Sequence, residues 1–393
     1  MILELVRPEI RAMSAYHVAD VSEDCIKLDA MEVPYSLPEN LRQALAKKLV
    51  DAPINRYPNP TRSGLQETLR STFAIPDKAQ IALGNGSDEL IQLLTMLVAK
   101  PDAVMLSLEP SFVMYRHNAA LFGMKHIGVP LNPDLTLNRQ AVLDAIIEHQ
   151  PALIFLAYPN NPTGVPFNRE DVEAIIQAAT GIIVIDEAYG AFSDDSFLSQ
   201  AGQPENLVVL RTLSKIGFAG LRIGYAAGDP SLMNELAKIT PPYNMNTLSL
   251  TAATFALQHM DAVNAHIDIL KAERERMASE LAMLPESQVF VSQANFITVR
   301  LPDAPTAFEA LKAEKIWVKQ LSGSHTLLEN CLRLTIGTPE ENNRVLVVLR
   351  AYAEQVQSAK KLIASAKSDN LAIWWILTAL VVIATVVLFI VFA

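Results

Sequence analysis

Cysteine is scarce: Cys25 and Cys331 are the only two in 393 residues. That is too few for a disulfide framework or a cysteine-built metal site, and it fits a reducing compartment. Basic charge is also short, with 32 Lys and Arg against 42 Asp and Glu and a net charge of −10. A protein that coats a phosphate backbone wants the opposite balance, so no nucleic-acid partner is expected. The opening MILELVRPEIR breaks its short apolar run with Glu4 and Arg7, so it lacks the core of a secretory signal. Internal repeats are absent. Disorder is excluded by composition, since half the residues are hydrophobic and 19% are charged.

What is present is a regular alternation. The length predicts about two to three compact units. Short apolar runs at 80–83, 104–108, 152–157, 181–186, 207–211 and 223–227 read as strands. Segments of helical period at 88–98, 115–121, 139–149 and 169–178 lie between several of them. This pattern predicts an α/β fold with a large, mostly parallel sheet, whose ligands bind beyond the carboxyl ends of the strands. A long helical stretch follows at 246–284. A smaller α+β unit comes next, extended at 289–301, 316–321 and 331–336 and helical at 305–313 and 340–358. The expected division is an arm at 1–45 that packs on the smaller unit, a large domain with its linking helix at 46–284, and a small domain at 285–360.

The far end differs. Residues 371–393 carry no charge, and only Thr378 and Thr385 are polar. As a helix rising ~1.5 Å per residue the stretch would span roughly 34 Å, enough for a bilayer core of about 30 Å. Trp374 and Trp375 stand at its entrance, and Lys360, Lys361 and Lys367 precede it. The expectation is an added C-terminal transmembrane helix, anchoring the chain by its tail and leaving the rest in the cytoplasm.

Five segments carry chemistry, each at or just past a predicted strand. Gly84-Asn85-Gly86-Ser87-Asp88-Glu89 opens a helix; its N–H groups and Ser87 suit an anion, or Ser87 or Asp88 simply caps the helix. Pro159-Asn160-Asn161-Pro162-Thr163-Gly164 is a rigid turn that either presents an Asn amide or only reverses the chain. Val184-Ile185-Asp186-Glu187-Ala188-Tyr189 puts a carboxylate at the edge of a buried sheet. There it needs a positive partner, such as a protonated pyridine nitrogen, or caps the next turn. In Arg211-Thr212-Leu213-Ser214-Lys215, followed by Gly220-Leu221-Arg222-Ile223-Gly224, desolvation and nearby cations would hold the Lys215 amine low enough in pKa to attack a carbonyl. Arg222 has the fork to neutralise a phosphate. Arg333, mid-strand in Asn330-Cys331-Leu332-Arg333-Leu334-Thr335-Ile336-Gly337, is either salt-bridged or an anion receptor.

The order of these segments resembles the fold-type I aminotransferases, which use pyridoxal phosphate. The resemblance spans about residues 7–355. Arg7-Pro8-Glu9-Ile10, Ser14-Ala15-Tyr16-His17, Lys27-Leu28-Asp29-Ala30-Met31-Glu32, Arg56-Tyr57-Pro58 and Thr338-Pro339-Glu340-Glu341-Asn342 are similar to the histidinol-phosphate aminotransferase family in particular. The resemblance implies Lys215 as the Schiff-base lysine and Asp186 on the pyridine nitrogen, with Asn161 and Tyr189 at the ring hydroxyl. It implies Ser87, Asp88, Ser214 and Arg222 around the cofactor phosphate, joined by Tyr57 from a partner subunit of a homodimer. Phe112 takes the ring-stacking position in preference to Tyr115, while Tyr16, Lys319 and Arg333 receive the substrate phosphate. Val33 stands where the family has Asn, and Lys319 where it often has Arg. The implied reaction converts histidinol phosphate and 2-oxoglutarate to imidazole acetol phosphate and glutamate, in histidine biosynthesis. An aromatic amino-acid transaminase, a decarboxylase of the same fold and a membrane-tethered scaffold are the alternatives.

Overall fold

The computed structural model describes residues 2–15, 20–22, 24–59 and 64–368. Twelve strands form two sheets. In chain order they are β1 (Ile26–Leu28), β2 (Gln80–Asn85), β3 (Val104–Glu109), β4 (Lys125–Pro130), β5 (Leu153–Ala157), β6 (Ile182–Asp186), β7 (Leu207–Thr212), β8 (Ile223–Gly228), β9 (Gln288–Val289), β10 (Phe296–Arg300), β11 (Ile316–Gln320) and β12 (Cys331–Thr335). The larger sheet runs β2-β8-β7-β6-β5-β3-β4 and is parallel except at β8, which is antiparallel to both neighbours.

Its central strands are buried on both faces, which is why they read as unbroken apolar runs. Alternate side chains sort to opposite sides. Leu106, Ile154, Leu156, Ile183 and Ile185 enter the main core. Met105, Phe155 and Val184 meet Leu90, Ile91 and Leu94 of the helix Ser87–Val98 on the other side. β4 was not anticipated from the sequence: it is an edge strand with one buried residue, Val129, so it lacks the apolar run that marks its neighbours.

The smaller sheet is ordered β1-β11-β12-β10-β9, with β1 parallel to β11 and the other pairs antiparallel. It pairs Arg333 with Lys319 on one side and with Thr298 on the other. The predicted helix over 246–284 is two helices, Thr247–Leu257 and Met260–Ala282. Neither Pro nor Gly marks the break. The Gln258 N–H closes the first helix on the carbonyls of Thr254 and Phe255, and His259 tilts against the Phe255 ring at 4.5 Å. The predicted extended run 289–301 is also interrupted. Residues 290–295 leave the sheet, and the Ser292 hydroxyl donates to the Phe296 carbonyl at 2.6 Å to fix that loop.

The expected transmembrane helix is not supported, and the tail anchoring and membrane partnership go with it. Among the described residues no helix is long and apolar enough to cross a membrane, and 371–393 lies outside them. The last described helix, Pro339–Ser368, would be long enough at ~45 Å. It carries Glu340, Glu341, Arg344, Arg350, Glu354, Lys360 and Lys361 along its length, which a bilayer core does not accept.

Candidate active site

The carboxyl ends of β5, β6 and β7 open on a cavity of about 570 Å³. Its lining includes Ser87, Asp88, Phe112, Asn161, Asp186, Tyr189, Ser214, Lys215 and Arg222, nine residues proposed from four separate segments and one aromatic position. Tyr115, Thr212 and Met31 line it too. The sheet explains the convergence, because its parallel strands all end on the same side and the antiparallel β8 begins there, just after Arg222.

Asp186 is the last residue of β6 and is almost fully buried. The Tyr115 hydroxyl donates to its Oδ2 at 2.7 Å, and the Ala188 N–H donates to Oδ1 at 3.1 Å. No cation pairs with it among the described residues. Burial therefore dominates, and its carboxyl is pushed up to about 6 despite the two donors. Tyr115 is itself fully buried and stacks on Phe155 with ring centroids 4.6 Å apart. Phe112 meets Tyr115 edge-on at 5.7 Å. Sequence reasoning ranked Tyr115 low. Its contact with Asp186 joins residues 71 apart, and no local pattern signals it.

Lys215 lies on a short 3-10 turn, Ser214–Ile216, just beyond β7. Its Nζ donates to the Ala30 carbonyl at 3.0 Å and sits 5.9 Å from the centre of the Tyr189 ring. Burial first, and the positive charge of Arg333 second, bring its pKa down to about 8. The anion end of the cavity is built around Gly86, whose φ is +83°. A Cβ there would lie 2.5 Å from Arg222 Nη2, and one on Gly224 would lie 2.4 Å from the Gly86 carbonyl carbon. The two glycines let Arg222 and the start of the helix Ser87–Val98 close on one point. Arg222 reaches the Ser214 hydroxyl at 3.4 Å and Asp88 at 3.6 Å, and Thr212 Oγ1 donates to Ser214 Oγ at 2.9 Å.

The turn after β5 divides its two asparagines. Asn160 is spent on the turn: its amide donates to the Pro110 carbonyl and to Thr163 Oγ1, each at 3.0 Å. Asn161 faces the cavity, and its Oδ1 accepts from Arg333 Nη1 at 2.6 Å. Arg333 also donates to the Asp29 carbonyl at 2.7 Å. Lys319 and Arg333 line a second cavity, which shares Met31, Phe112 and Asn161 with the first. Tyr57 is 80% exposed, stacks on Tyr243 at 4.6 Å and lines neither cavity. Tyr16 lies outside the described residues.

A sheet-end carboxylic acid without a cation, a desolvated amine and a glycine cradle facing an arginine are thus held around one cavity. This set fits a planar cofactor with a basic ring nitrogen, a carbonyl and a phosphate. The model of the class I and II aminotransferases matches residues 23–349. The chain belongs to that family, the transaminases that work with pyridoxal phosphate as cofactor.

Within it, the chain belongs with the histidinol-phosphate aminotransferases. It is 61% identical over 348 residues to the one from Neisseria meningitidis serogroup B, covering 88% of this chain and 95% of that protein. It is 53% identical over 349 residues to the one from Chromobacterium violaceum, covering 89% and 98%. The same fold is seen in the crystal structure of histidinol-phosphate aminotransferase from Sinorhizobium meliloti in complex with pyridoxal-5'-phosphate. That match has a TM-score of 0.78 and 22% identity, covering 89% of this chain and 97% of that one.

Proposed function

We propose that the chain transfers the amino group of histidinol phosphate to 2-oxoglutarate, giving imidazole acetol phosphate and glutamate, as a homodimer. The observation that carries the substrate is a cross-strand pair: Arg333 and Lys319 sit opposite each other on β12 and β11. They line a second cavity, which shares Met31, Phe112 and Asn161 with the one holding Lys215. A phosphate whose phosphorus lies three bonds from the reacting carbon needs cations placed there, beyond the cofactor and not against it.

Lys215 would hold the cofactor through its Nζ, and the same nitrogen as a free amine would accept the proton from the substrate Cα and hold it as the ammonium. A lysine with its pKa near 8 does this well, since it is neither permanently charged nor far from the working pH. Asp186 would pair with the ring nitrogen of the cofactor and favour its protonated form. A carboxyl that burial has pushed up gains most from that partner, because pairing removes the cost of its charge. Tyr115 fixes the Asp186 carboxyl, while Asn161 and Tyr189 would contact the ring hydroxyl. Ser87, Ser214, Arg222 and the helix N-terminus hold the cofactor phosphate, with Asp88 beside them. When bound, pyridoxal phosphate supplies the electron sink that makes the Cα proton acidic. Arg333 and Lys319 hold the substrate phosphate, with Tyr16 alongside, and Tyr57 completes the phosphate site of the neighbouring copy.

The test is a donor comparison on the holoenzyme, following 2-oxoglutarate-dependent turnover of histidinol phosphate, phenylalanine and tyrosine. Histidinol phosphate is expected to give the highest kcat/KM, and Arg333→Ala to lower that value about 30- to 1000-fold. If phenylalanine or tyrosine is the better donor in the parent enzyme, the chain is an aromatic transaminase instead.

A further inference from the structure

Among the described residues that line it, the second cavity has one acidic group. Its wall presents Arg116, Lys319 and Arg333 as cations, and Glu109 is the sole carboxylate among those described residues. Glu109 ends β3, at the carboxyl edge of the large sheet, while Lys319 and Arg333 come from the small sheet. The cavity therefore has a basic wall and an acidic spot on different elements.

The Glu109 side chain is only partly exposed. Its charged neighbours both approach Oε1, Arg116 at 3.6 Å and His126 Nδ1 at 4.0 Å. His126 is engaged at its other nitrogen by Ser107 Oγ at 2.8 Å, and burial holds its pKa below the usual value, so it brings little positive charge. Arg116 is two-thirds exposed and its ion pair with Glu109 is long, so the pair is weak. The carboxylate thus has no close charged partner among the described residues. Gly128 on β4 makes the room: a Cβ there would lie 2.4 Å from Glu109 Cδ and 2.8 Å from Oε2. Leu108, Phe112, Leu321 and Leu328 add apolar lining to the same cavity.

A phosphate would be repelled by Glu109 and drawn to Arg333 and Lys319. A flat ring bearing an N–H would fit the reverse: apolar flanks, and a carboxylate to accept the proton at its rim. We infer that Glu109 is a specificity-determining residue, accepting the ring N–H of the imidazole while Lys319 and Arg333 take the phosphate. The inference rests on the reading of histidinol phosphate as substrate and assigns the part of that molecule which the cations leave unread.

The test compares two donors on the holoenzyme, histidinol phosphate and the phosphate ester of phenylalaninol. They share amine and phosphate, and differ in the ring N–H. Removing one acceptor to a polar ring is expected to lower the ratio of their kcat/KM values about 10- to 100-fold in Glu109→Met. Most of the change should appear in KM. Glu109→Gln, which restores an acceptor oxygen without the charge, should recover part of it. Gly128→Ala, which pushes the carboxylate aside without removing it, should lower the ratio in the same direction and covers the case in which Glu109→Met fails to fold. If both donors fall together in these variants, Glu109 is only a packing residue and the inference is overturned. If the parent enzyme does not turn over histidinol phosphate at all, the substrate reading fails instead, which is a separate outcome.

Discussion

Asp186 and Lys215 are displaced in opposite directions by one cause. Burial disfavours charge, so the acid is held up at about 6 and the amine down at about 8. In the cofactor-free chain the folded state grips the Asp186 proton more tightly than the unfolded chain does, whose carboxyl titrates near 3.8. The stability this gives is complete below about pH 4 and is lost as the pH rises through about 6. At pH 8 the buried charge costs the fold on the order of 2–3 kcal/mol. Asp186→Asn removes the titration. Its cofactor-free form is expected to unfold at higher urea than the parent at pH 8, with the difference closing near pH 4, while its transaminase activity collapses. Equal midpoints at pH 8 would mean that the parent carboxylate is solvated. At this scale the sequence was informative about Lys215 and Asp186 because each sits where a strand ends, a position visible in the chain. Tyr115 was not legible as the partner of Asp186, since a hydroxyl contact between a helix and a strand end has no periodic trace.

Among the elements, β8 shapes the anion site. It is the antiparallel strand of an otherwise parallel sheet, wedged between β2 and β7, and its register sets Gly224 opposite Gly84. That pairing brings its backbone against Gly86 and the first N–H of the helix Ser87–Val98. A methyl group at Gly224 would meet backbone, which cannot rotate away. Gly224→Ala is therefore expected to destabilise the chain by about 1–3 kcal/mol. It should also raise the concentration of pyridoxal phosphate needed for half-saturation, read by absorbance of the bound cofactor. A variant that binds cofactor as the parent does would show that the helix start can shift freely. The strands of the central sheet were legible because burial on both faces leaves apolar runs. β4 and the break at Gln258-His259 were not, because an edge strand and a helix end closed by its own carbonyls need neither apolar residues nor Gly or Pro.

For the whole molecule, the question is what covers Tyr57. It is 80% exposed, beside Val50 and Ile54 of the same stretch at 84% and 76%, and it stacks on Tyr243, itself 55% exposed. Lone exposed apolar residues are ordinary, but a cluster from two separated segments marks a surface that binds something. The proposed two-fold homodimer would cover it, since an isologous interface buries the same patch on both copies. It would also give Tyr57, which lines neither cavity of its own chain, a site to complete. The arrangement can be tested by complementation. Lys215→Ala removes the amine from a chain's own site, and Tyr57→Ala removes the group that chain lends to its neighbour. In a heterodimer of the two, one site carries both lesions and the other carries none. After subunit exchange in an equal mixture, about a quarter of all sites are therefore intact. Activity is expected to rise to roughly that fraction of the parent's, from a Lys215→Ala homodimer with none and a Tyr57→Ala homodimer weakened in cofactor binding. Exchange is confirmed separately by mass-tagged chains. If heterodimers form and activity stays at the average of the two parents, Tyr57 serves only its own chain and the shared site is wrong.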